Sequence, residues 1–181
     1  FRTQGIKTTN PIAVGDWVEF EIEQGLQSAV ITKLEPRKNY IIRRSVNLSK
    51  QTQIIGANLD LAMLVVTLAS PPTSTGFIDR FLVTAEAYGI PAALVFNKLD
   101  LFSEEGLEIL AEYIAIYKDL GYPCYTVSAL EKENIDDLNE VLKDKITLIS
   151  GHSGVGKSTL INAIIPGSDL KAGNISDWSD K

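Results

Sequence analysis

The clearest chemistry in the sequence lies in a glycine-rich stretch at residues 151–158, which reads Gly-His-Ser-Gly-Val-Gly-Lys-Ser. It fits G-x-x-x-x-G-K-[ST], in which glycines let the backbone curl until successive N–H groups point at one anion. Lys157 is expected to neutralise charge on the β- and γ-phosphates, and the Ser158 hydroxyl to ligate Mg²⁺. The residues predicted to contact a bound nucleotide here are Gly151, Ser153, Gly154, Val155, Gly156, Lys157, Ser158 and Thr159.

The flanking sequence suits a phosphate-binding loop. Apolar residues 146–149 predict a strand that leads into the stretch, and residues 158–165 predict a helix that leaves it. His152 is the only histidine of the chain and lies inside the stretch. Its titration near neutral pH would suit catalysis, but a side chain that lines the loop or faces solvent is the interpretation we favour.

A second polar motif, Asn97-Lys98-Leu99-Asp100, follows a buried apolar run. The Asp100 carboxylate could accept hydrogen bonds from both N1–H and the 2-amino group of guanine. Adenine lacks these donors, so such a site would reject it strongly. Asn97 suits the O6/N7 edge of the base, and the stem of Lys98 is expected to cover its flat face. Turn formation is the alternative for Asn and Asp, and the phosphate loop favours base recognition.

The third motif, Ser128-Ala129-Leu130, follows the next predicted strand, and its backbone N–H groups are expected to reach the guanine O6. The motif is too short to be specific by itself. Its assignment is supported by its position after the strand that follows Asn97–Asp100. Ordinary GTPases have the phosphate loop first, N-K-x-D later and S-A-x last. Here the phosphate loop comes last, which is a circular permutation that the same sheet can accommodate when its natural ends are joined.

The segments that must position these motifs alternate between strand and helix from about Leu59. Continuous apolar runs at 61–68 and 92–96 are typical of strands that are covered on both faces. Helical spacing predicts a helix over 77–88, and Ser103 is expected to cap another that runs to Leu120. The order predicts a parallel sheet with helices on both faces, completed by strands at 125–128 and 146–149 and by helices at 135–142 and 158–165.

The first 50 residues read differently. Residues 16–23 alternate apolar and charged side chains, which predicts a half-buried strand, and short β-prone runs follow at 29–32 and 40–42. Three strands do not close a barrel. We therefore predict a small, barrel-like β module over residues 1–50 that is incomplete at its N-terminus, followed by a partial α/β P-loop domain over residues 51–181.

The charge divides at the same boundary. The net charge of −6 and the pI near 4.8, taken alone, argue against a protein that grips nucleic acid. Residues 1–50 nevertheless carry eight basic and five acidic residues, whereas the remainder carries nine basic and 18 acidic ones. A chance excess of basic residues on a solvated surface is the alternative to an RNA-facing surface, for which the candidates are Arg37, Lys38, Arg43 and Arg44.

The composition also indicates the cellular compartment in which the protein occurs. The single cysteine, Cys124, excludes an internal disulfide framework and fits a reducing environment. The apolar run Leu61–Ala69 is far shorter than the roughly 20 residues that cross a bilayer. We expect a cytoplasmic monomer with no membrane partner. Because the only methionine is Met63, we also expect that the N-terminal end of the protein is missing.

Together these motifs resemble the ribosome-small-subunit-dependent GTPase family known as RsgA or YjeQ. The resemblance implies an OB-fold whose first strands precede Phe1, a circularly permuted GTPase domain that ends near switch I, and a C-terminal Zn²⁺-binding domain. It further implies GTP or GDP with Mg²⁺ as ligands, and the small (30S) ribosomal subunit with its 16S rRNA as partner. Beside the three nucleotide motifs, the matching stretches are residues 37–44, 58–60, 77–82 and 173–176.

Three family features are absent from the sequence: the D-x-x-G motif, the switch I threonine and the cysteines and histidines of the zinc site. We expect them beyond Lys181. Without them the chain alone should hydrolyse GTP weakly or not at all, and only Lys157 is assigned a catalytic role, with no water-positioning group. The predicted function is a GTPase checkpoint in late maturation of the small subunit. A P-loop ATPase or kinase, and a nucleotide-regulated RNA-binding module without significant turnover, are the alternatives.

Overall fold

The computed structural model describes residues 11–23, 25, 28–44 and 52–171. These segments form strands and α-helices whose order changes from all-β to alternating at about residue 60. The strands are β1 (Val18–Ile22), β2 (Ala29–Leu34), β3 (Tyr40–Arg44), β4 (Thr52–Ala57), β5 (Leu61–Val66), β6 (Ala92–Phe96), β7 (Cys124–Thr126) and β8 (Thr147–Ser150). The helices are α1 (Thr75–Ala87), α2 (Glu104–Asp119), α3 (Ile135–Leu142) and α4 (Lys157–Ile164).

A parallel sheet with the strand order β7-β6-β5-β8 lies at the centre. In the middle of the sheet, Leu64 of β5 pairs with Leu94 of β6 on one side and with Ser150 of β8 on the other. Every residue of β5 and β6 is buried, as their continuous apolar runs predict. The parallel sheet that the sequence predicts is therefore confirmed.

The two faces of this sheet carry separate apolar clusters. Alternate residues of a strand point to opposite faces, so Leu64 packs on one side and Met63 on the other. The Leu64 cluster includes Ile78 of α1 and Leu110 of α2, whereas the Met63 cluster takes its partners from α3 and α4. Helices thus cover both faces, as predicted. Among the helices that the structure describes, none is long and apolar enough to span a bilayer.

Most element boundaries agree with the sequence pattern. β6 and α3 have the predicted bounds. The Ser103 cap of α2 is confirmed, because its Oγ accepts a hydrogen bond from the Gly106 N–H at 3.2 Å. β5 ends at Val66, two residues before the apolar run does, because the chain turns back there: the Thr73 N–H donates to the Thr67 carbonyl at 2.8 Å.

Two antiparallel hairpins precede the parallel sheet. β1 pairs with β2, and β3 pairs with β4. The sequence pattern misses β4, since Gln53 and Gly56 interrupt its apolar residues. The β3–β4 hairpin crosses the predicted boundary between residues 50 and 51. The division into an OB-like barrel and a GTPase domain stays a prediction.

Asparagine side chains attach the hairpins to the start of β5. The Asn39 amide donates to the Leu59 carbonyl and accepts from the Leu59 N–H, both at 2.8 Å. Asn58 accepts from the Lys38 N–H at 2.7 Å and donates to the Gly15 carbonyl at 2.9 Å. The Asn39 contacts satisfy backbone groups of Leu59 that would otherwise be buried without partners.

Asp60 extends the attachment to the strand that leads into the phosphate loop. Its Oδ2 accepts from the Ile146 N–H at 3.0 Å, and its own N–H donates to the Ile146 carbonyl at 2.8 Å. Lys38 Nζ contacts Asp60 Oδ1 at 2.7 Å, and hydrogen bonds from Lys38 and then from Ile146 lower the pKa of Asp60. The starts of β5 and β8 are therefore fixed relative to the β3–β4 hairpin.

Replacing Asn39 by alanine tests this attachment. Asn39→Ala leaves both the N–H and the carbonyl of buried Leu59 without partners. We expect the free energy of unfolding to fall by about 2 kcal/mol, measured by urea denaturation. Lys38→Ala, which removes an exposed ion pair next to Asn39, serves as the control. It should lower the free energy of unfolding clearly less than Asn39→Ala does. Equal losses for the two variants would contradict this account.

Candidate nucleotide-binding site

All three sequence motifs lie at the carboxyl edge of the parallel sheet. The phosphate loop at residues 151–156 follows β8, Asn97–Asp100 follows β6, and Ser128–Leu130 lies just after β7. Open parallel sheets bind ligands at this edge. The structure therefore brings together motifs that are up to 61 positions apart in the sequence.

Two glycines of the phosphate loop are required by close packing. Gly151 has φ +147°, and a Cβ there would lie 2.5 Å from the carbonyl oxygen of Val65 in β5. Gly156 has φ +91°, and a Cβ there would collide with the Asn97 amide nitrogen. Gly156 is also the N-cap residue of α4. The loop can therefore lie close to β5 and to Asn97, the residue after β6, only because these positions lack side chains.

Lys157 folds back over the loop from the first position of α4. Its Nζ donates to the carbonyl oxygens of Gly151 at 2.8 Å and His152 at 2.6 Å. An ammonium group has three N–H donors, so one remains for an anion in the loop. Burial lowers the pKa of Lys157, which an anionic ligand would counteract.

Asn97 joins the phosphate loop to the third motif. Its Nδ2 donates to the Val155 carbonyl at 2.9 Å, and its Oδ1 accepts from the Ala129 N–H at 3.0 Å. The side chain is 1% exposed. The sequence predicts that Asn97 faces the O6/N7 edge of the base, but the structure gives both ends of the amide protein partners. The pattern identifies the residue type and not its partners, which come from loops 32 and 58 residues away.

Ser128 holds Asp100. The Ser128 hydroxyl donates to Asp100 Oδ1 and accepts from the Glu131 N–H at 3.1 Å. Asp100 is exposed, in a single 3-10 turn at Leu99–Leu101. Within the described part of the chain, Asp100 Oδ2 receives no hydrogen bond. The carboxylate is thus oriented by a buried hydroxyl and keeps an oxygen available for a ligand.

The backbone of the third motif is less available than the sequence predicts. The Ser128 N–H donates to the Glu133 carbonyl at 3.3 Å, and the Ala129 N–H donates to Asn97. Of the three N–H groups expected to reach the guanine O6, only that of Leu130 has no acceptor among the described residues. Leu130 itself is 70% exposed. Of the three N–H groups, that of Leu130 is therefore the one left available to a ligand, and the contact with O6 stays a prediction.

Lys98 connects the base motif to the loop after β5. It has the left-handed conformation, with φ +67°, and its Nζ donates to the Ser70 carbonyl. Burial lowers the pKa of Lys98, and nearby Asp100 acts in the opposite direction. The predicted role of the Lys98 stem as a cover for the base stays a prediction.

The remaining loop residues suit a metal-bound phosphate. Ser153 is exposed, whereas Gly154, Ser158 and Thr159 are half-buried. No described residue hydrogen-bonds the Ser158 hydroxyl, so it can ligate a cation. Mg²⁺ is commonly held by one or two protein oxygens, substrate phosphates and water, and this donor set fits it. No group of three or more His, Cys, Asp or Glu side chains suited to metal binding occurs in the described segments.

Phe77 is a site residue that sequence reasoning misses. Its ring stacks on the His152 imidazole, with the ring centroids 3.9 Å apart and the planes inclined at 31°. Helical spacing assigns Phe77 to the apolar face of α1, and no signal in the sequence links it to residue 152. The favoured interpretation of His152, a loop side chain that lines the site or faces solvent, agrees with its exposed position beside the loop.

Two predicted RNA-facing residues have protein partners instead. Arg37 forms a bidentate contact with Asp16, with nitrogen–oxygen distances of 2.6 and 2.7 Å, and its side chain is only 18% exposed. Burial acts to raise the pKa of Asp16, but hydrogen bonds from Arg37 and Ala13 outweigh it and lower that pKa. Asp16 therefore occupies the Arg37 guanidinium, and the RNA-facing role of Arg37 stays a prediction.

Lys38 is exposed but pairs with Asp60, as described above. The side chains of Arg43 and Arg44 lie outside the described residues, as does the stretch at 173–176. The structure therefore supplies no described, unpaired cation at the predicted RNA-facing positions. The sequence could not reveal this, because Asp16 lies 21 residues before Arg37.

Comparison with known proteins gives consistent matches. A profile of the RsgA GTPase family matches residues 34–181. Small ribosomal subunit biogenesis GTPase RsgA 2 of Bacteroides thetaiotaomicron is 56% identical over 181 residues, which make up 100% of this chain and 58% of that protein. Small ribosomal subunit biogenesis GTPase RsgA of Flavobacterium psychrophilum is 51% identical over 99% of this chain and 56% of its own length.

Two solved structures share the fold. YjeQ from Thermotoga maritima superposes with a TM-score of 0.75 at 41% identity, covering 90% of this chain and 54% of that one. YloQ, described as a circularly permuted GTPase, gives a TM-score of 0.66 at 34% identity, covering 91% and 55%. The chain thus spans little more than half the length of these relatives. With the family profile matched over most of its residues and the permuted motifs gathered at one sheet edge, the chain belongs to the RsgA GTPase family.

Proposed function

We propose that this chain binds GTP and GDP with Mg²⁺ and forms the nucleotide-binding part of a GTPase that acts in maturation of the small ribosomal subunit. The observation that carries the proposal is the Asn97 bridge, which fixes the phosphate loop and the base motif as one site. The names of the relatives, small ribosomal subunit biogenesis GTPases, support the biological role.

The proposed guanine contacts come from three groups. Asp100, held by Ser128, accepts from N1–H and the 2-amino group through its available oxygen. The Leu130 N–H donates to O6, and the Lys98 stem covers the face of the ring. This arrangement favours guanine over adenine because adenine would leave the carboxylate without donors.

The proposed phosphate contacts come from the loop and α4. Backbone N–H groups of residues 153–159 surround the phosphates, and the remaining N–H of Lys157 neutralises their charge. Ser158 would ligate Mg²⁺, which would supply further neutralisation of the phosphate charge when bound. Phosphoryl transfer depends mainly on such positioning and charge neutralisation.

The proposed partners follow from the family. The small ribosomal subunit and its rRNA are the expected docking surface, in the cytoplasm, and an OB-like barrel and a Zn²⁺-binding domain are expected in the complete protein. With Arg37 and Lys38 engaged by carboxylates, Arg43 and Arg44 are the remaining RNA-facing candidates. We expect the protein to act as a monomer.

Substitution of Asp100 tests base recognition. Asp100→Asn places an amide where guanine needs a carboxylate. The affinity for GDP should therefore fall by roughly 100-fold or more, while the affinity for xanthosine diphosphate (XDP) rises. Calorimetric titration of the chain with GDP, XDP and ADP measures both changes. Asp136→Asn makes the same charge change at an exposed position of α3 and should bind like the original chain. Unchanged nucleotide preference in Asp100→Asn would contradict guanine recognition here.

Hydrolysis tests the biological role. In the complete protein that contains this chain, GTP turnover should rise by roughly tenfold or more when small ribosomal subunits are added, because a partner can complete the positioning of the reactants. Phosphate release with and without purified small subunits measures the effect, and large subunits serve as the control. Turnover that ignores small subunits would sink the proposed role, even if GDP binding by the chain were confirmed.

A further inference from the structure

The phosphate loop is held by side chains at two places. At its carboxyl half, Asn97 donates to the Val155 carbonyl at 2.9 Å. At its amino half, the His152 ring stacks on Phe77 with a centroid distance of 3.9 Å. Phe77 lies in the first turn of α1, so this second contact joins the loop to a helix on the face of the sheet opposite α4.

We propose that the His152–Phe77 ring pair is a positioning device for Lys157, holding the loop carbonyls that orient its ammonium group toward the nucleotide phosphates. The inference rests on the proposed function, because it concerns how the guanine-nucleotide site holds its lysine. It assigns His152 a role through ring packing and not through proton transfer.

Two backbone carbonyl groups orient the ammonium group of Lys157. Two of the hydrogen bonds of Lys157 go to the carbonyls of Gly151 and His152, at 2.8 and 2.6 Å. Their directions determine where the third N–H of the ammonium points. Any rotation of the backbone at residue 152 would therefore move the charge that faces the phosphates.

The backbone at residue 152 must itself be held in place. On one side of it, Gly151 is pressed against the Val65 carbonyl, where a Cβ would come within 2.5 Å. His152 and Ser153 themselves are exposed, so apart from the ring contact little surrounds the His152 side chain. The Phe77 ring supplies that contact.

Phe77 is itself anchored by its backbone and by its side chain. Its N–H donates to the Ser74 carbonyl at 3.0 Å, and its side chain packs against the apolar cluster that contains Leu64 and Ile78. An anchored ring gives the imidazole a fixed surface, and pairs of aromatic rings add stability beyond the area that they bury. A phenyl ring at position 152 should therefore replace the imidazole.

The experiment measures GDP affinity and thermal midpoints for five variants of the chain. His152→Ala and Phe77→Leu remove one ring each, and the double variant removes both. His152→Phe restores a ring without an imidazole. The matched control is Tyr88→Leu, which removes a ring from another aromatic pair, Tyr40–Tyr88, at the opposite end of α1.

We expect His152→Ala and Phe77→Leu each to weaken GDP binding about three- to tenfold, and the double variant to be no weaker than the weaker single variant. His152→Phe and Tyr88→Leu should bind GDP within about twofold of the original chain. The thermal midpoint of nucleotide-free His152→Ala should fall by no more than about 4 °C, since a single ring pair contributes only a small part of the stability. A role in stability alone would lower the midpoint and leave the GDP affinity of the folded variant unchanged.

Two results would overturn the inference while leaving the proposed function intact. One is a folded His152→Ala variant that binds GDP as the original chain does. The other is a His152→Phe variant as weak as His152→Ala, which would mean that the imidazole itself is required. If the original chain showed no preference for GDP over ADP, the proposed function and the inference would both fall.

Discussion

The side-chain amide of Asn97 is the contact on which the candidate site depends. It is buried at the end of β6, donates to the phosphate loop and accepts from the backbone of Ala129. An amide is suited to this place because one group both donates and accepts without carrying charge. Gly156 must lack a side chain for the amide to reach the loop. One interaction thus sets the distance between the phosphate loop and the motif that follows β7.

The rest of the structure keeps this contact in place. The clusters on the two faces of the sheet fix β5 and β6, while Asp60 fixes the start of β8 through Ile146. The phosphate loop therefore follows a strand, β8, whose start is fixed, and it contacts Asn97 at its other end. Circular permutation changes the order in which these parts occur along the chain but not the edge at which they meet.

The sequence predicts the parts of this site that depend on pattern. Continuous apolar runs predict β6, helical spacing predicts α3, and the motifs that follow the strands converge at one edge. Sequence patterns do not predict which distant residue a polar side chain will contact. No pattern in the sequence links Arg37 to Asp16, or Asn97 to Val155 and Ala129. The base contact of Asn97 stays a prediction.

The most direct test of the account is the GDP affinity of Asn97→Asp, measured by calorimetry beside the original chain. The carboxylate keeps the shape of the amide and an acceptor for Ala129, but it cannot donate to the Val155 carbonyl. We predict a folded protein that binds GDP at least about tenfold more weakly, since a buried carbonyl loses its donor. Unchanged GDP affinity in the folded variant would contradict the claim that this amide assembles the site.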